Sequence, residues 1–310
     1  MNIAYAGNVS MDEWTQIVEQ IGSNGSKINW STGIIEAVGI GAPPEQYYGK
    51  PQARPMALRA AQVDAYRNLL ETTKGVRVDS KTLVKDFVVQ NDVIMTSIEG
   101  LVKGAQVVKR DYLSDGTVEV TVQMSLSGGF AQLVLPPTIK QQEPIFTTAL
   151  PVTHPPVASL QPVKQPEIPA KPEIPVQPTT PVKIEPPVTP PSLQTLSEVY
   201  TGLVVDARGL NAKPAMAPKI LDENGQEVYG SAFVSRDWAV QQGMSGYAKD
   251  PVAAQNNERV TDKPFIIKGI RTEGPGKADI VISNADAAKI RSSAENLSFL
   301  QKCRVMIVVD

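Results

Sequence analysis

A proline-rich stretch from residue 143 to residue 197 places the tightest limit on what this chain can fold into. It carries the tetrapeptide Pro-Glu-Ile-Pro twice, at 166–169 and at 172–175. Because proline lacks an amide donor and has a fixed φ, we expect neither a helix nor a central strand here, but extended polyproline II without a core. At ~3.1 Å per residue, the segment from 151 to 191 would reach on the order of 120 Å when fully stretched.

The composition of this stretch favours a spacer over the alternative, a PxxP ligand for a partner domain, since no paired recognition motif accompanies it. We therefore expect two small globular domains that a proline-rich linker holds apart. The predicted boundaries are an N-terminal tail at 1–9, a first domain at 10–142, the linker at 143–197 and a C-terminal domain at 198–310.

The bulk composition limits the cores and the partners that these domains can have. Aromatic residues make up only 5% of the chain, so the cores must be mostly aliphatic and rich in alanine. Lys and Arg number 30 against 32 Asp and Glu, giving a formal charge of −2. That balance excludes the clustered basic surface that nucleic-acid binding needs, and it provides no polybasic patch for anionic lipid.

The single cysteine and the single histidine restrict the possible chemistry further. One cysteine cannot form an intramolecular disulfide, and His154 lies among prolines, which makes zinc sites and His-dependent nucleophilic catalysis untenable. Cys303 precedes the apolar run 305–309, and we interpret it as a small buried hydrophobe rather than a nucleophile.

Hydrophobic spacing predicts an α+β fold for the first domain. A short opening helix is expected at 11–21, and a β-α-β-α-β-β order should follow it. The clearest helix begins at Pro55, repeats small and apolar residues at helical spacing, and ends at Lys74-Gly75. The other predicted elements are a strand at 32–41, short extended pieces at 76–78 and 82–84, a helix within 87–101, and a hairpin of 105–113 with 117–126 around Asp115-Gly116.

The C-terminal domain is predicted to be α+β as well. A second hairpin signal, Asn224-Gly225, joins expected strands at 218–221 and 227–229. A short helix is expected with Ser235 as its cap and Gly243 as its stop, and another, with Asn284 as its cap, should reach about residue 297. Further strands are expected at 199–205, 264–270, 278–282 and 304–310.

The candidate binding groups in this domain have plainer explanations. Asp206 and Arg208 follow a strand, and Asp222 and Glu223 sit at a hairpin, but their spacing matches no cation loop and turn chemistry accounts for the hairpin. The loop 273–277 (Glu-Gly-Pro-Gly-Lys) lacks the spacing of a phosphate-binding loop, and its proline removes an amide.

Three aromatic residues of the same domain, Trp238, Tyr229 and Tyr247, are candidates for stacking on a glycan, although core or interface packing is the favoured interpretation. We therefore predict no catalytic, cofactor-binding or metal-binding residues and no cofactor.

The N-terminus carries a small-x-small pattern, Ala4-Tyr5-Ala6, of the kind that signal peptidase cuts after. One interpretation is that a signal peptide lies upstream and the mature chain begins at Gly7; the other is chance. No run of about 18 apolar residues occurs, so no transmembrane helix is predicted. There is no cysteine near the start for lipidation.

Several runs in the first domain resemble a known family. They are 59–71 (Arg-Ala-Ala-Gln-Val-Asp-Ala-Tyr-Arg-Asn-Leu-Leu-Glu), 75–78 (Gly-Val-Arg-Val), 98–105 (Ile-Glu-Gly-Leu-Val-Lys-Gly-Ala), Tyr112, and 115–120 (Asp-Gly-Thr-Val-Glu-Val). Together, over about residues 30–130, they are similar to small outer-membrane lipoproteins of the FlgP type and to the N-terminal region of the flagellar protein FlgT. The resemblance implies an exported, outer-membrane-associated structural protein, of a kind that often forms rings or discs around the flagellar motor.

These observations predict a non-enzymatic protein of the cell envelope, periplasmic or outer-membrane associated, whose partners are further copies of itself and other envelope proteins. The exposed edges beside the 105–126 hairpin are the expected contacts. The alternative is a periplasmic module that binds peptidoglycan or another polysaccharide through the aromatic residues of the second domain.

Overall fold

Two β-sheets with flanking helices form the part of the chain that the structure describes. This structure, a computed structural model, describes residues 15–22, 24–139, 199–292 and 294–310, and only the backbone of 294–296. The mixture of helices and sheets confirms the predicted α+β class. The Ala4-Tyr5-Ala6 motif and the proline-rich linker lie outside the described residues.

The first lobe, residues 15–139, contains a five-stranded antiparallel sheet in the order β1-β2-β3-β5-β4. Its elements are β1 (Val18–Gln20), β2 (Lys27–Asn29), β3 (Ile34–Gly41), α1 (Ala53–Lys74), α2 (Val84–Gln90), α3 (Asp92–Lys103), β4 (Gln106–Tyr112), β5 (Val118–Ser125) and α4 (Gly129–Val134).

Helix α1 lies unusually close to strand β3 because the facing side chains are very small. A Cβ added at Gly39 would sit 2.0 Å from the backbone nitrogen of Ala65, and one at Gly41 would sit 2.3 Å from the backbone nitrogen of Ala61. Ala61 and Ala65 are fully buried against the sheet. Backbone therefore packs on backbone here, as the alanine spacing predicts, and a methyl group on either glycine has no room.

The predicted opening helix at 11–21 is wrong where the structure describes it. Residues 18–20 form strand β1, which pairs with β2 in an antiparallel hairpin that the hydrophobic spacing did not predict. Gly22 and Gly25, with φ of 73° and 76°, turn the chain between them. The pieces at 76–78 and 82–84 make only an isolated bridge between Arg77 and Leu83, so the observed order begins β-β-β-α.

The single helix predicted within 87–101 is two helices. Asn91 separates them with extended backbone angles, and its side chain accepts hydrogen bonds from the amides of Val93 and Ile94, which makes it the N-cap of α3. The predicted hairpin, by contrast, is confirmed as β4 and β5, and Gly116 in its turn has a φ of 88°.

The second lobe, residues 199–310, contains a seven-stranded mixed sheet in the order β8-β7-β11-β10-β6-β12-β9. Its elements are β6 (Gly202–Asp206), β7 (Ile220–Leu221), β8 (Glu227–Tyr229), α5 (Arg236–Gln242), β9 (Gly246–Ala248), α6 (Pro251–Gln255), β10 (Pro264–Glu273), β11 (Asp279–Ile282), α7 (Asn284–Arg291), α8 (Ala294–Gln301) and β12 (Val305–Val308).

The centre of this sheet is parallel and buried. Strand β6 pairs in parallel with both β10 and β12, and β12 is buried at every position, as its continuous apolar run predicts. Strand β9 and helix α6 were not predicted. The helix for which Asn284 was the predicted cap begins at Asn284 and is capped instead by Ser283, whose Oγ accepts from the amide of Asp286. It ends at Arg291, and α8 follows it.

The two lobes pack against each other in one compact unit, so the expectation that a linker holds them apart is wrong. A single cluster of buried apolar side chains runs through both lobes. Main-chain hydrogen bonds join them directly: the amides of Met216 and Ala217 donate to the carbonyls of Arg77 and Val78 at 3.0 and 2.7 Å. The Arg77 guanidinium adds a bond to the carbonyl of Pro214 at 2.6 Å.

Candidate functional site

Strand β4 forms the outer edge of the first-lobe sheet. It pairs with β5 on one side, and no other strand among the described residues pairs with its free side, which we call the β4 edge (Gln106–Tyr112). A β-bulge between Val107 and Lys109 interrupts the register and leaves Val108 without a partner on β5. Unpaired main-chain donors and acceptors on such an edge are a template for another strand.

The side chains at the β4 edge mix exposed apolar groups with a compensated charge pair. Val108 and Tyr112 are 47% and 52% exposed, and Leu113 directly after the strand is 49% exposed. Lys109 and Asp111 form an ion pair at 2.7 Å. Their hydrogen bond raises the pKa of Lys109 above its ordinary value. Exposed apolar groups beside this ion pair and the exposed Arg110 suit contact with another protein surface.

A second stretch of unpaired backbone in this sheet, on β3, is covered by side chains. Strand β2 pairs with β3 only as far as Glu36, so the next residues of β3 have no neighbouring strand on that side. There Ile40 donates its amide to the carboxylate of Asp64 at 3.0 Å, and Asn68 donates from Nδ2 to the carbonyl of Val38 at 2.7 Å. Side chains of helix α1 thus satisfy the β3 edge, whereas the β4 edge has no such cover among the described residues.

A second feature, the junction cavity, lies between the lobes. It has a volume of about 260 Å³. The first lobe contributes Trp30 and Leu126 to its wall, and the second contributes Met244, Tyr247 and Arg259. The rings of Trp30 and Tyr247 meet edge to face at a centroid distance of 6.0 Å. Tyr247 is fixed further because its hydroxyl donates to the carbonyl of Ala215 at 2.8 Å.

Arg259 brings a positive charge to this cavity. Its Nη1 donates to the carbonyls of Gly243 and Cys303 at 3.0 and 2.9 Å, and its Nη2 donates to the carbonyl of Gln242. Gln242 ends helix α5, where main-chain carbonyls lack partners and a cation is favourable. Burial lowers the pKa of Arg259 from its ordinary value, although a guanidinium remains charged at neutral pH.

The acidic candidates named from the sequence are held by local bonds. Asp206 accepts from the Arg208 guanidinium at 2.9 and 2.7 Å, and this hydrogen bonding lowers its pKa. Asp222 accepts from the amides of its own turn and pairs with Arg291 at 2.9 Å. Glu223 accepts from the amide of Asn284 at 2.9 Å. The interpretation of Asp222 as a turn residue is confirmed.

The loop at 273–277 is a turn between β10 and β11, as the favoured interpretation holds. The amide of Gly276, which a phosphate would need, donates instead to the carbonyl of Ser80 in the first lobe at 2.6 Å. The structure thus uses this loop to join the lobes.

The three aromatic candidates do not form one surface. Tyr229 is completely buried and Tyr247 is 4% exposed, whereas Trp238 on α5 is 40% exposed. The favoured interpretation as packing residues is confirmed for both tyrosines, and a glycan groove built from all three residues is wrong. Cys303 is buried as predicted, and burial raises the pKa of its thiol to about 11.

Within the residues that the structure describes, no group of three or more His, Cys, Asp or Glu side chains is placed to hold a metal ion. Over the same residues, no helix combines the length and the hydropathy that crossing a membrane requires.

Fold and surface together define a two-lobed α+β protein with an exposed sheet edge at β4 and a cavity at the lobe junction. The second lobe is similar to a known family: residues 202–310 match the family described as Treponema pallidum Tp0624, second domain. The match starts at the first residue of β6 and includes the whole seven-stranded sheet. No curated protein matches the chain.

Proposed function

We propose that this protein is a non-enzymatic structural protein of the bacterial cell envelope that assembles with further copies of itself through the β4 edge. The observation that carries the proposal is the contrast between two edges of one sheet. Asp64 and Asn68 satisfy the β3 edge, while the β4 edge presents its backbone beside the exposed side chains of Val108 and Tyr112. An edge left open next to a covered one is suited to strand addition.

The bulge at Val108 makes this edge selective rather than generally adhesive. It divides the regular pairing with β5 into two stretches, Gln106 to Val107 and Lys109 to Tyr112. Natural sheets use such bulges and edge charges to prevent unlimited edge-to-edge growth. A short, charged contact is consistent with a closed assembly of defined size.

The envelope location rests on sequence similarity. The runs within residues 30–130 resemble outer-membrane lipoproteins of the FlgP type and the N-terminal region of FlgT, and residues 202–310 match a domain of a Treponema protein. We propose an exported protein associated with the outer membrane or the flagellar motor. Cell fractionation and the state of flagella after gene deletion test this location; recovery in the cytoplasm, or intact flagella and envelope, would argue against it.

Light scattering over a range of protein concentrations tests the assembly. We expect the wild-type mass to exceed the 33.4 kDa of one chain and to rise with concentration. Val108→Glu at the β4 edge should return the protein to a monomer, because an added charge opposes the burial of this strand. Val63→Glu on α1, at a valine that is 60% exposed, is the matched control and should leave the mass unchanged. A strict monomer at high concentration would overturn the proposal.

A further inference from the structure

We propose that two copies of this chain pair through their β4 edges in antiparallel orientation, about a two-fold axis at Arg110, so that Lys109 of each copy faces Asp111 of the other. This inference rests on the proposed assembly through the β4 edge and specifies its orientation and register. Three observations support it: the direction of the main-chain groups of β4, the order of its charges and the position of its bulge.

The hairpin turn shows which main-chain groups of β4 point away from β5. The amide of Leu113 donates to the carbonyl of Thr117 at 2.9 Å, so the main-chain groups of Leu113 point toward β5. Because this direction alternates along an antiparallel strand, Asp111 and Lys109 also use their main-chain groups on β5. Arg110 and Tyr112 therefore direct their amides and carbonyls outward, where a further strand can bind them.

The order of the charges on β4 selects one register. In an antiparallel pair, residues with outward main-chain groups face each other, so Arg110 faces Arg110 or Tyr112 of the second copy, or Tyr112 faces its own copy. When Arg110 faces Arg110, each Lys109 faces an Asp111. When Arg110 faces Tyr112, the two Asp111 carboxylates face each other, and when Tyr112 faces Tyr112, only the ends of the strands overlap. Opposite charges across the strands stabilise a sheet, and like charges destabilise it.

The selected register brings the charges together where facing side chains are closest. Lys109 and Asp111 would face each other at positions without main-chain hydrogen bonds between the copies, where Cα atoms lie about 4.5 Å apart. Their side chains are 64% and 38% exposed, so both are accessible to a second copy. Asp111 also faces Glu119 on β5. A lysine from the second copy would therefore add a cation beside two facing acids.

The bulge limits the length of the contact. Val108, which has no partner on β5, would lie opposite Tyr112 of the second copy, and both side chains are about half exposed in the single chain. A two-fold contact uses the β4 edge of both copies, so pairing through this surface stops at two copies. The register also has one unfavourable contact, because Arg110 faces Arg110 of the second copy at the axis.

Two charge-reversal variants of the full chain test the register. Lys109→Glu makes an acid face an acid at both positions, and Asp111→Lys makes a lysine face a lysine. In sedimentation equilibrium, each variant alone should have a dissociation constant about tenfold to a hundredfold higher than wild type. An equimolar mixture of the two variants should form mixed pairs with about the wild-type affinity, because acid again faces lysine at both positions. Native mass spectrometry with one variant ¹⁵N-labelled distinguishes mixed pairs from like pairs.

Mixing isolates the contact between copies from the contact within each chain. The ion pair between Lys109 and Asp111 of one chain is lost in both variants, so recovery in the mixture can come only from charges that face each other across the copies. Lys268→Glu is the matched control. Lys268 is exposed in the middle of β10, which has strands of its own chain on both sides, and its reversal should leave the dissociation constant unchanged.

Arg110→Gln tests the position of the axis independently. It removes the like charges that face each other there, so the pair of copies should become about threefold tighter. If a charge-reversal variant fails to fold, as circular dichroism reports, the effect of Arg110→Gln decides the outcome.

Failure of the register and failure of the assembly give different results. The register is overturned, and assembly through the β4 edge is retained, if Val108→Glu separates the copies but the mixture forms no mixed pairs or Arg110→Gln weakens the pair. A wild-type chain that stays monomeric at high concentration overturns both proposals.

Discussion

Ser80 in the first lobe donates a hydrogen bond from Oγ to Oδ2 of Asp279 in the second lobe, with 2.5 Å between the two oxygens. Oδ1 of the same carboxylate accepts from the amide of Lys219 at 3.2 Å. Burial raises the pKa of Asp279 above its ordinary value of 3.8, while the bond from Ser80 acts in the opposite direction. The lobes are therefore joined through an acid that folding makes harder to ionise.

The free energy of unfolding should depend on the ionisation of Asp279 at acidic pH. Because its folded-state pKa lies above the unfolded value, the folded protein binds more protons between those two values, and this contribution to stability is lost as pH rises through the folded-state pKa. Asp279→Asn should therefore gain stability relative to wild type between about pH 4 and pH 7, as urea unfolding at each pH measures.

Asp115→Asn is the matched control for this titration. Asp115 lies in the exposed hairpin turn, and the amide of Thr117 lowers its pKa. Its contribution to stability is present above the unfolded pKa and is lost as pH falls, so Asp115→Asn should show the opposite trend. Equal trends in the two variants would contradict the assignment of the Asp279 effect to burial.

The close contact of β3 with α1 predicts that one methyl group added at Gly39 strongly destabilises the protein. Gly39→Ala should lower the free energy of unfolding by about 3 kcal/mol or more, because its Cβ would overlap backbone atoms that cannot move independently. Gly100→Ala in helix α3 is the control: no atom lies within 4 Å of its added Cβ, so the protein should gain about 0.5–1 kcal/mol. Urea unfolding distinguishes the two, and a tolerated Gly39→Ala would show that the helix and the strand can separate.

Because Asp64 covers the β3 edge, removing its carboxylate should change hydrogen exchange locally. Asp64→Ala removes the acceptor of the Ile40 amide, so this amide should exchange faster and the protein should lose about 1 kcal/mol. Arg67→Ala on the same helix is the control, because Arg67 is exposed and its guanidinium lies 4.0 Å from the Asp64 carboxylate. Unchanged Ile40 protection in Asp64→Ala would mean that this bond does not hold the edge.

Cys303 should be inert in the folded protein. Its pKa of about 11 against an ordinary 9.0 means about a hundredfold less thiolate at neutral pH, and the side chain is fully buried. Iodoacetamide should label it only after unfolding in urea, as mass spectrometry reports. Rapid labelling of the native protein would reveal an opening of the second lobe near the end of α8.

The elements that the sequence predicted well are those whose pattern is local. The alternation of Val118, Val120 and Val122 with polar residues, together with Asp115-Gly116, specifies a hairpin within about twenty residues. The alanines of α1 specify both a helix and its closeness to a sheet. Three-residue strands such as β1 and β2 offer too few positions to distinguish their period from that of a helix.

Some missed boundaries did have sequence signals. Asn91 followed by Asp92 is a helix-start pair, and Asp250 before Pro251 starts α6 with an N-cap and a proline in the first turn. The junction between the lobes had no such signal in the sequence. Many of its bonds end on main-chain carbonyls, such as those of Pro214, Pro136 and Gln132, and any residue type supplies a carbonyl. The junction cavity results from that packing, so the sequence did not predict it either.

Because the two lobes contact each other directly, their association does not depend only on their being parts of one chain. Main-chain bonds from Met216 and Ala217 to the first lobe, and a core shared by both lobes, join the lobes through residues that the structure describes. Such a junction resembles the interface between two subunits, and a covalent connection raises the effective concentration of each lobe for the other. Two separately produced lobes should accordingly associate with each other in solution.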